Sequence, residues 1–328
     1  MKQRKFSNTG KLVSEVGLGT WQIGGSWGDV SDQDAMKILH AAADNGVTFY
    51  DTADVYGDGR SERLLGAFLK KRPADDLFVA TKIGRGASPG WPENFTLDAM
   101  RTHVDAALER LGVETLNLVQ LHCIPTEVMQ AGEVFESLRT LQKEGKIQNF
   151  GASVESIEEA QICLAQPGLA SLQIIFNLFR QKPIDELFAD AIRKHVAIIV
   201  RLPLASGLLS GKMTHDTHFA STDHRNFNRD GQSFNVGETF AGLPFDLGVD
   251  LADELKTMLP AGMTMVQMAL RWILDHEAVT TVIPGASRPE QVLSNVSASD
   301  LPPLSAELHA QFKIWYQDSV ADHIRGKY

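Results

Sequence analysis

The sequence predicts an α/β fold: a (β/α)8 TIM barrel with extra helices near the C-terminus and a long loop after strand 7. Short β-branched runs alternate with longer amphipathic segments along nearly the whole chain, the pattern of parallel strands covered by helices. The strand–helix units number eight and composition does not change between the halves, which favours a closed barrel over a doubly wound open sheet. No linker, short repeat or low-complexity tract interrupts the 328 residues. Barrels of about 250 residues and more fold as one unit, so residues 1–328 read as a single barrel domain.

Residues 16–20 form the first expected strand and 32–45 its helix, with Ala35, Ile38, Leu39 and Ala42 on one face and Gly46 as the stop. The next units are strand 47–51 with helix 61–70, strand 77–81 with helix 97–110, and strand 116–121 with helix 128–143. Strand 148–153 with helix 157–165 and strand 172–176 with helix 184–194 continue the series. Residues 197–202 form the seventh strand and 280–283 the eighth, followed by a helix over 289–295. Two stretches break the regularity. Residues 213–248 lack sustained periodicity, and loops of that length are uncommon unless functional. A helix pair at 249–259 and 265–275 precedes the last strand.

Composition narrows the function classes. Lys+Arg 31 against Asp+Glu 41 gives a net charge of -10, which argues against nonspecific DNA binding and against an anionic membrane surface. Cys123 and Cys163 are the only cysteines, with no C-x-x-C pair and no disulfide framework, as in a reducing compartment. The basic start, 1–6, is followed by no apolar run and does not read as a signal peptide. No stretch has the apolar length of a membrane span. A cytoplasmic location is expected, as a monomer or small homo-oligomer, with no nucleic-acid or membrane partner.

Barrel active sites lie at the C-terminal ends of the strands, so polar residues there carry the chemistry. Asp51 ends the second strand and Tyr56 follows in its loop. Lys82 ends the third strand, His122 the fourth, Ser153 the fifth and Arg201 the seventh, and Asn177 follows the sixth. Each has an ordinary structural role open to it: a lone Asp after a strand caps a helix, and a lone Tyr edges a core. One fold, however, turns them all into one mouth. Tyrosine, with an ordinary pKa of about 10, is a weak acid at neutral pH. A nearby ammonium such as Lys82 is expected to lower that value, with Asp51 holding the lysine in place. Neutral His122 could donate to a carbonyl oxygen. The set suits protonation of an alkoxide that develops as hydride reaches carbon.

The segments Gly17-Leu18-Gly19-Thr20-Trp21, Asp51-Thr52-Ala53-Asp54-Val55-Tyr56-Gly57, Thr81-Lys82 and Leu121-His122 resemble the aldo-keto reductase superfamily. Gly207-Leu208-Leu209-Ser210-Gly211-Lys212 and Ile283-Pro284-Gly285-Ala286 are similar to its cofactor loops, and the whole is similar to bacterial members with a long seventh loop. The resemblance runs in order from Gly17 to Asn295. It implies a catalytic tetrad of Asp51, Tyr56, Lys82 and His122, and extended NADP(H) binding without a Rossmann domain. It also implies an oxidoreductase that reduces aldehydes or ketones, or oxidises alcohols in reverse, with Tyr56 as general acid. Gly19, Thr20, Trp21 and Asp51 fall at the start of the implied cofactor site. Ser153 matches the serine on the nicotinamide carboxamide; Val154 stands where its usual Asn partner would be. Gln173 matches the glutamine that reaches the same group. Leu204, Ser206, Gly207, Leu209, Gly211 and Lys212 match the loop over the pyrophosphate. Gly285, Ser287, Arg288, Gln291 and Asn295 match the segment around the adenosine 2′-phosphate, with Arg288 suited to the phosphate itself. Trp21, Trp27, Tyr56 and His122 are the expected substrate-pocket residues; Trp91 is a further candidate, while Trp272 and Trp315 lie in helical patterns and read as packing residues.

Other signals lead elsewhere. The glycine pairs at Gly17, Gly57 and Gly84 each lack the third glycine of a dinucleotide fingerprint, and Met213 follows Gly211-Lys212 where a P-loop needs Ser or Thr. His215, Asp216, His218, Asp223 and His224 crowd the long loop, but their spacing fits no strong ligand pattern, and no metal is expected. Phe219, Phe227, Phe234, Phe240 and Phe245 anchor that loop or line a pocket. Two other functions compete: a cofactor-sensing regulatory protein on the same fold with little turnover, as the resemblance to the family's potassium-channel β subunits illustrates, and a barrel lyase or isomerase using Lys82 as a Schiff base. Many members of the resembled family stack an aromatic on the nicotinamide where this chain has Arg201. A planar guanidinium there could stack as well and would disfavour the cationic oxidised ring; alternatively, Arg201 could pair with a substrate carboxylate or with a structural acid. Arg201→Tyr is therefore expected to narrow the gap between the NADP⁺ and NADPH dissociation constants; an unchanged ratio contradicts this.

Overall fold

Successive side chains of a strand point to opposite faces, so each barrel strand sends every second residue inward. The computed structural model describes residues 1–328 except Ser26 and Asp29. A short antiparallel hairpin, β1 (Gln3–Lys5) and β2 (Leu12–Ser14), comes first. Eight parallel strands follow in sequence order: β3 (Leu18–Gly19), β4 (Phe49–Asp51), β5 (Phe78–Ile83), β6 (Leu116–His122), β7 (Ile147–Ser153), β8 (Leu169–Ile175), β9 (Ala197–Arg201) and β10 (Val279–Val282). Parallel bridges from Val16 to Val282 and from Gly19 to Gly285 join the last strand to the first and close the barrel.

The helices run α1 (Trp21–Gly24), α2 (Asp32–Asp44), α3 (Arg60–Leu69), α4 (Leu97–Leu111), α5 (Thr126–Ala131), α6 (Glu133–Lys143) and α7 (Ile157–Leu164). They continue as α8 (Pro183–Glu186), α9 (Phe188–Arg193), α10 (His224–Phe227), α11 (Phe245–Thr257), α12 (Met265–Leu274), α13 (Pro289–Val296) and α14 (Ala306–Trp315). Side-chain caps start several of them. Ser31 accepts from the Asp34 amide, Thr96 from Ala99 and Ser156 from Glu159, while Thr264 and Gln267 form a capping box. Among the described residues, no helix is long and apolar enough to cross a membrane.

The alternation sorts the barrel interior into two levels. At the N-terminal end of the strands, Phe49, Phe78, Ala80, Leu118, Ala197 and Ile199 form an apolar cluster. The hairpin closes this end: Phe6 and Val13 join the cluster, and the Phe6 ring lies 4.7 Å from that of Phe78. Further along the barrel strands come Asp51, Lys82, Gln120, His122, Ser153 and Gln173, all buried. The larger core lies between strands and helices.

Several elements differ from the sequence reading. The hairpin was not expected. Helix 128–143 is broken at Gly132, whose φ of +83° ends α5 and starts α6. Helix 184–194 is broken at Leu187, whose backbone departs from helical angles between α8 and α9. The first strand shortens to β3 plus the Val16 bridge. The long loop contains α10 and ends earlier than expected, at Phe245. Its order comes from side chains instead of periodicity: the Asn228 side-chain Oδ1 accepts from the backbone amides of Ser233 and Phe234, and Phe240 and Phe245 are buried in the core. Trp272 and Trp315 are buried, as expected of packing residues.

Candidate active site

Strand register brings the site together. Lys82 pairs with Gln120 across β5 and β6, His122 with Ser153 across β6 and β7, and Ser153 with Gln173 across β7 and β8. Asp51 sits at the end of β4, and Tyr56 on the loop that leaves it. That loop packs tightly on α1. Gly57 has a φ of +62°, and a Cβ there would lie 1.9 Å from the Gly24 carbonyl oxygen, so only glycine fits.

The Lys82 ammonium is the hub. It donates to Asp51 Oδ2 at 2.6 Å, to the Thr52 carbonyl at 2.9 Å and to the Tyr56 hydroxyl oxygen at 3.1 Å. All three of its donors are thereby used. The other Asp51 oxygen accepts from the Gln173 amide at 2.7 Å and the Gln120 amide at 3.3 Å. Lysine offers no lone pair, so the Tyr56 oxygen accepts from it and keeps its own O–H free to donate elsewhere. The Trp21 ring lies 5.9 Å from the Tyr56 ring, nearly parallel, and the His122 ring meets it edge-on at the same separation.

Electrostatics correct one sequence expectation. Burial pushes the Tyr56 phenol above its ordinary pKa, and the opposing influence of Lys82 does not outweigh it. The phenol is thus held protonated instead of being made more acidic. Burial also works against the Lys82 ammonium, yet the Asp51 carboxylate and Tyr56 keep its pKa above the ordinary lysine value. His122 is driven well below the usual histidine range, first by burial and then by the Arg85, Lys82 and Arg201 cations. It is a neutral imidazole, as expected, and its buried Nδ1 has no hydrogen-bond partner.

Two cavities meet at Tyr56 and His122. The first, of about 480 Å³, runs to Arg288 and Asn295. Gly19, Thr20, Trp21, Trp27, Asp51, Ser153, Gln173, Arg201, Leu204, Ser206, Gly207, Lys212, Gly285, Ser287, Arg288, Gln291 and Asn295 all line it, with Tyr56 and His122. Lys82 lies behind Tyr56 and Asp51. Leu209 and Gly211 are not brought to the cavity: the Leu209 side chain is in the core, and their amides donate to Leu204 and Leu208. The second cavity, of about 810 Å³, is walled by Trp21, Val55, Trp91, Ile124 and Phe234, with Arg85, Glu155 and Glu238 on its polar side. Trp91 and Phe234 are therefore pocket residues; Phe219, Phe240 and Phe245 pack together and anchor the loop.

The sequence reading missed four kinds of residue here. Gln120 lies two positions before His122 on the same strand face, a signal that alternation alone carried. Cys123, next to His122, lines both cavities. Arg85, Glu155 and Glu238 form ion pairs of 3.1 Å through one Arg85 nitrogen. Arg225 lies 4.8 Å over the Trp27 ring and pairs with Asp223. His215 hydrogen-bonds Asp246 and Asp250, so it is not gathered with the other loop histidines.

The aldo/keto reductase family model matches residues 15–317. The aldo-keto reductase YhdN of Bacillus subtilis is 31% identical over 300 residues, covering 89% of this chain and 87% of its own length. Among solved structures, the holo form of the aldo-keto reductase AKR11C1 from Bacillus halodurans superposes with a TM-score of 0.78 at 26% identity, covering 99% of this chain and 98% of that one. The glycerol dehydrogenase AKR11B4 from Gluconobacter oxydans does so with a TM-score of 0.77 at 29% identity, covering 99% and 97%.

The ion pair at the hub is testable by stability. Lys82→Met leaves a buried carboxylate without its counter-ion and is expected to destabilise the fold by about 3–5 kcal/mol in denaturant unfolding. Adding Asp51→Asn is expected to recover part of that loss. A double variant no more stable than the single one contradicts the pairing energetics.

Proposed function

The chain belongs to the aldo/keto reductase family, and from that premise we propose that it reduces aldehydes or ketones to alcohols with NADPH, Tyr56 acting as general acid. It is an NAD(P)H-dependent oxidoreductase of that family. The observation that carries the role of Tyr56 is the Lys82 ammonium at 3.1 Å from the phenol oxygen. The Lys82 ammonium, shared between the Asp51 carboxylate, the Thr52 carbonyl and the Tyr56 phenol, favours turnover over the opposing reading, a cofactor sensor with little turnover.

The first cavity fits NADP(H). Ser153 and Gln173 offer polar atoms at its inner end, beside Tyr56 and His122, and Lys212 and Arg288 bring two cations toward its outer end. Ser153 and Gln173 would hold the nicotinamide amide; Ser206, Gly207 and Lys212 would face the pyrophosphate; Arg288, Gln291 and Asn295 would take the adenosine end. When bound, the cofactor supplies hydride to the carbonyl carbon.

The protein's own part is positional and protonic. A carbonyl oxygen entering from the second cavity meets the free Tyr56 O–H, with the neutral His122 ring beside it. As negative charge grows on that oxygen, Tyr56 passes its proton to it. The phenolate left behind is stabilised by Lys82, whose charge Asp51 preserves. Trp21, Trp91 and Phe234 give the entering substrate an apolar wall that excludes water. Gln120 and Gln173 hold Asp51 and so fix the lysine.

Reduction of 4-nitrobenzaldehyde, followed by NADPH consumption, tests the reading. Wild type is expected to turn over. Tyr56→Phe is expected to lose the reaction by about 10²- to 10⁴-fold or more, while NADPH still quenches its tryptophan fluorescence. Loss of NADPH binding in that variant counts against the role given to Tyr56.

A further inference from the structure

We propose that Glu238, brought in by the long loop after β9, is the counter-ion that sets how strongly the cofactor site distinguishes oxidised from reduced nicotinamide, because it offsets the charge of Arg201. The inference rests on the cofactor placement proposed above.

Arg201 borders the inner end of the first cavity. Cys123 Sγ lies 3.5 Å from the Ser153 hydroxyl and 3.5 Å from an Arg201 Nη, so the guanidinium is one side chain away from the group assigned to the nicotinamide amide. The guanidinium donates to the Val154 carbonyl at 3.1 Å, and its buried Nε has no partner. Among the described residues, the carboxylate within ion-pair distance of its charge is Glu238, at 3.8 Å, and Glu155 attracts it more weakly. The same Glu238 oxygen lies 3.1 Å from Arg85, which also holds Glu155 at 3.1 Å. The cluster therefore gathers Arg85 from after β5, Glu155 from after β7, Arg201 from β9 and Glu238 from the long loop. Lys82 is the remaining cation near His122, and it is already paired with Asp51.

The two acids are not equivalent. Burial and the neighbouring Glu238 charge push Glu155 toward its protonated form. Burial works against Glu238 too, but Arg85 and Arg201 hold it ionised. Glu238 thus pairs with both guanidinium groups, and its loss removes the stronger of the two negative charges near Arg201.

The nicotinamide ring is cationic when oxidised and neutral when reduced. Fixed charge beside it acts on the oxidised form alone, whereas the phosphate and adenosine contacts are common to both forms and cancel in the ratio of the two dissociation constants. A change of one unit charge at a few ångströms corresponds to a shift in that ratio of about tenfold or more.

The test is a fluorescence titration of the full-length protein with NADP⁺ and with NADPH, using quenching of its tryptophans, among them Trp21 and Trp27 on the cavity wall. Glu238→Gln is expected to raise Kd(NADP⁺)/Kd(NADPH) about tenfold. Arg201→Met is expected to lower the ratio. Glu155→Gln is expected to leave it within about twofold. General structural damage weakens both ligands together and does not move the ratio in opposite directions. The proposal is overturned if Glu238→Gln leaves the ratio at the wild-type value, if the two variants shift it the same way, or if Glu155→Gln matches the effect of Glu238→Gln. Should Glu238→Gln fail to fold, Arg201→Met alone decides: an unchanged or raised ratio overturns the proposal. If neither nucleotide binds wild type, the cofactor placement itself fails; if both bind and only the ratios refuse to move, the placement stands and this inference falls.

Discussion

A lysine and an aspartate, both sealed from solvent and 2.6 Å apart, are the interaction on which the rest of the site depends. Removing two charges from water is costly, and such a pair persists only when its remaining donors and acceptors are satisfied. Here they are. Asp51 receives amide hydrogens from Gln120 and Gln173, strands away on β6 and β8, and the lysine spends its last two donors on the Thr52 carbonyl and Tyr56. The pair also orients the phenol. Because the ammonium can only donate, the hydroxyl proton of Tyr56 is left free to face the place where two cavities meet.

The same economy governs His122. It sits among Lys82, Arg85 and Arg201, and that positive surrounding together with burial keeps its ring neutral. The long loop then completes the mouth. Phe240 and Phe245 pin it to the core, Phe234 joins the second cavity, and Glu238 sits between the Arg85 and Arg201 guanidinium groups. A segment without periodicity is thereby tied to the barrel by a few buried side chains, and it shapes both the space for substrate and the charge around it.

How much of this the sequence displayed follows from range. Asp51, Lys82, His122 and Ser153 were legible because they end predicted parallel strands and barrel chemistry gathers at that end, whereas Gln173 was legible only through the family resemblance. Gln120 obeys strand alternation, but a glutamine carries no chemistry until its partner, 69 residues earlier, is known to face it. Glu238 had neither signal: it lies in an aperiodic loop, and its partners come from two distant strand ends. The hairpin was missed because its strands are three residues each and mostly polar, with only Phe6 and Val13 joining the apolar cluster. Helix breaks at Gly132 and Leu187 lie within runs whose apolar spacing continues across them. The direction of the Tyr56 shift was misjudged for a related reason. The nearby ammonium is visible in sequence, whereas the depth of burial that outweighs it exists only in the fold.

The central claim, a Tyr56 phenol kept protonated above a charged, aspartate-paired lysine, is reached most directly by the ultraviolet difference spectrum of tyrosinate. Wild type and a Tyr56→Phe variant, titrated in parallel, isolate the signal of this one phenol. The account predicts no Tyr56 tyrosinate at neutral pH and its appearance only above the ordinary tyrosine value of about 10. A Tyr56-specific phenolate already present at neutral pH would contradict it.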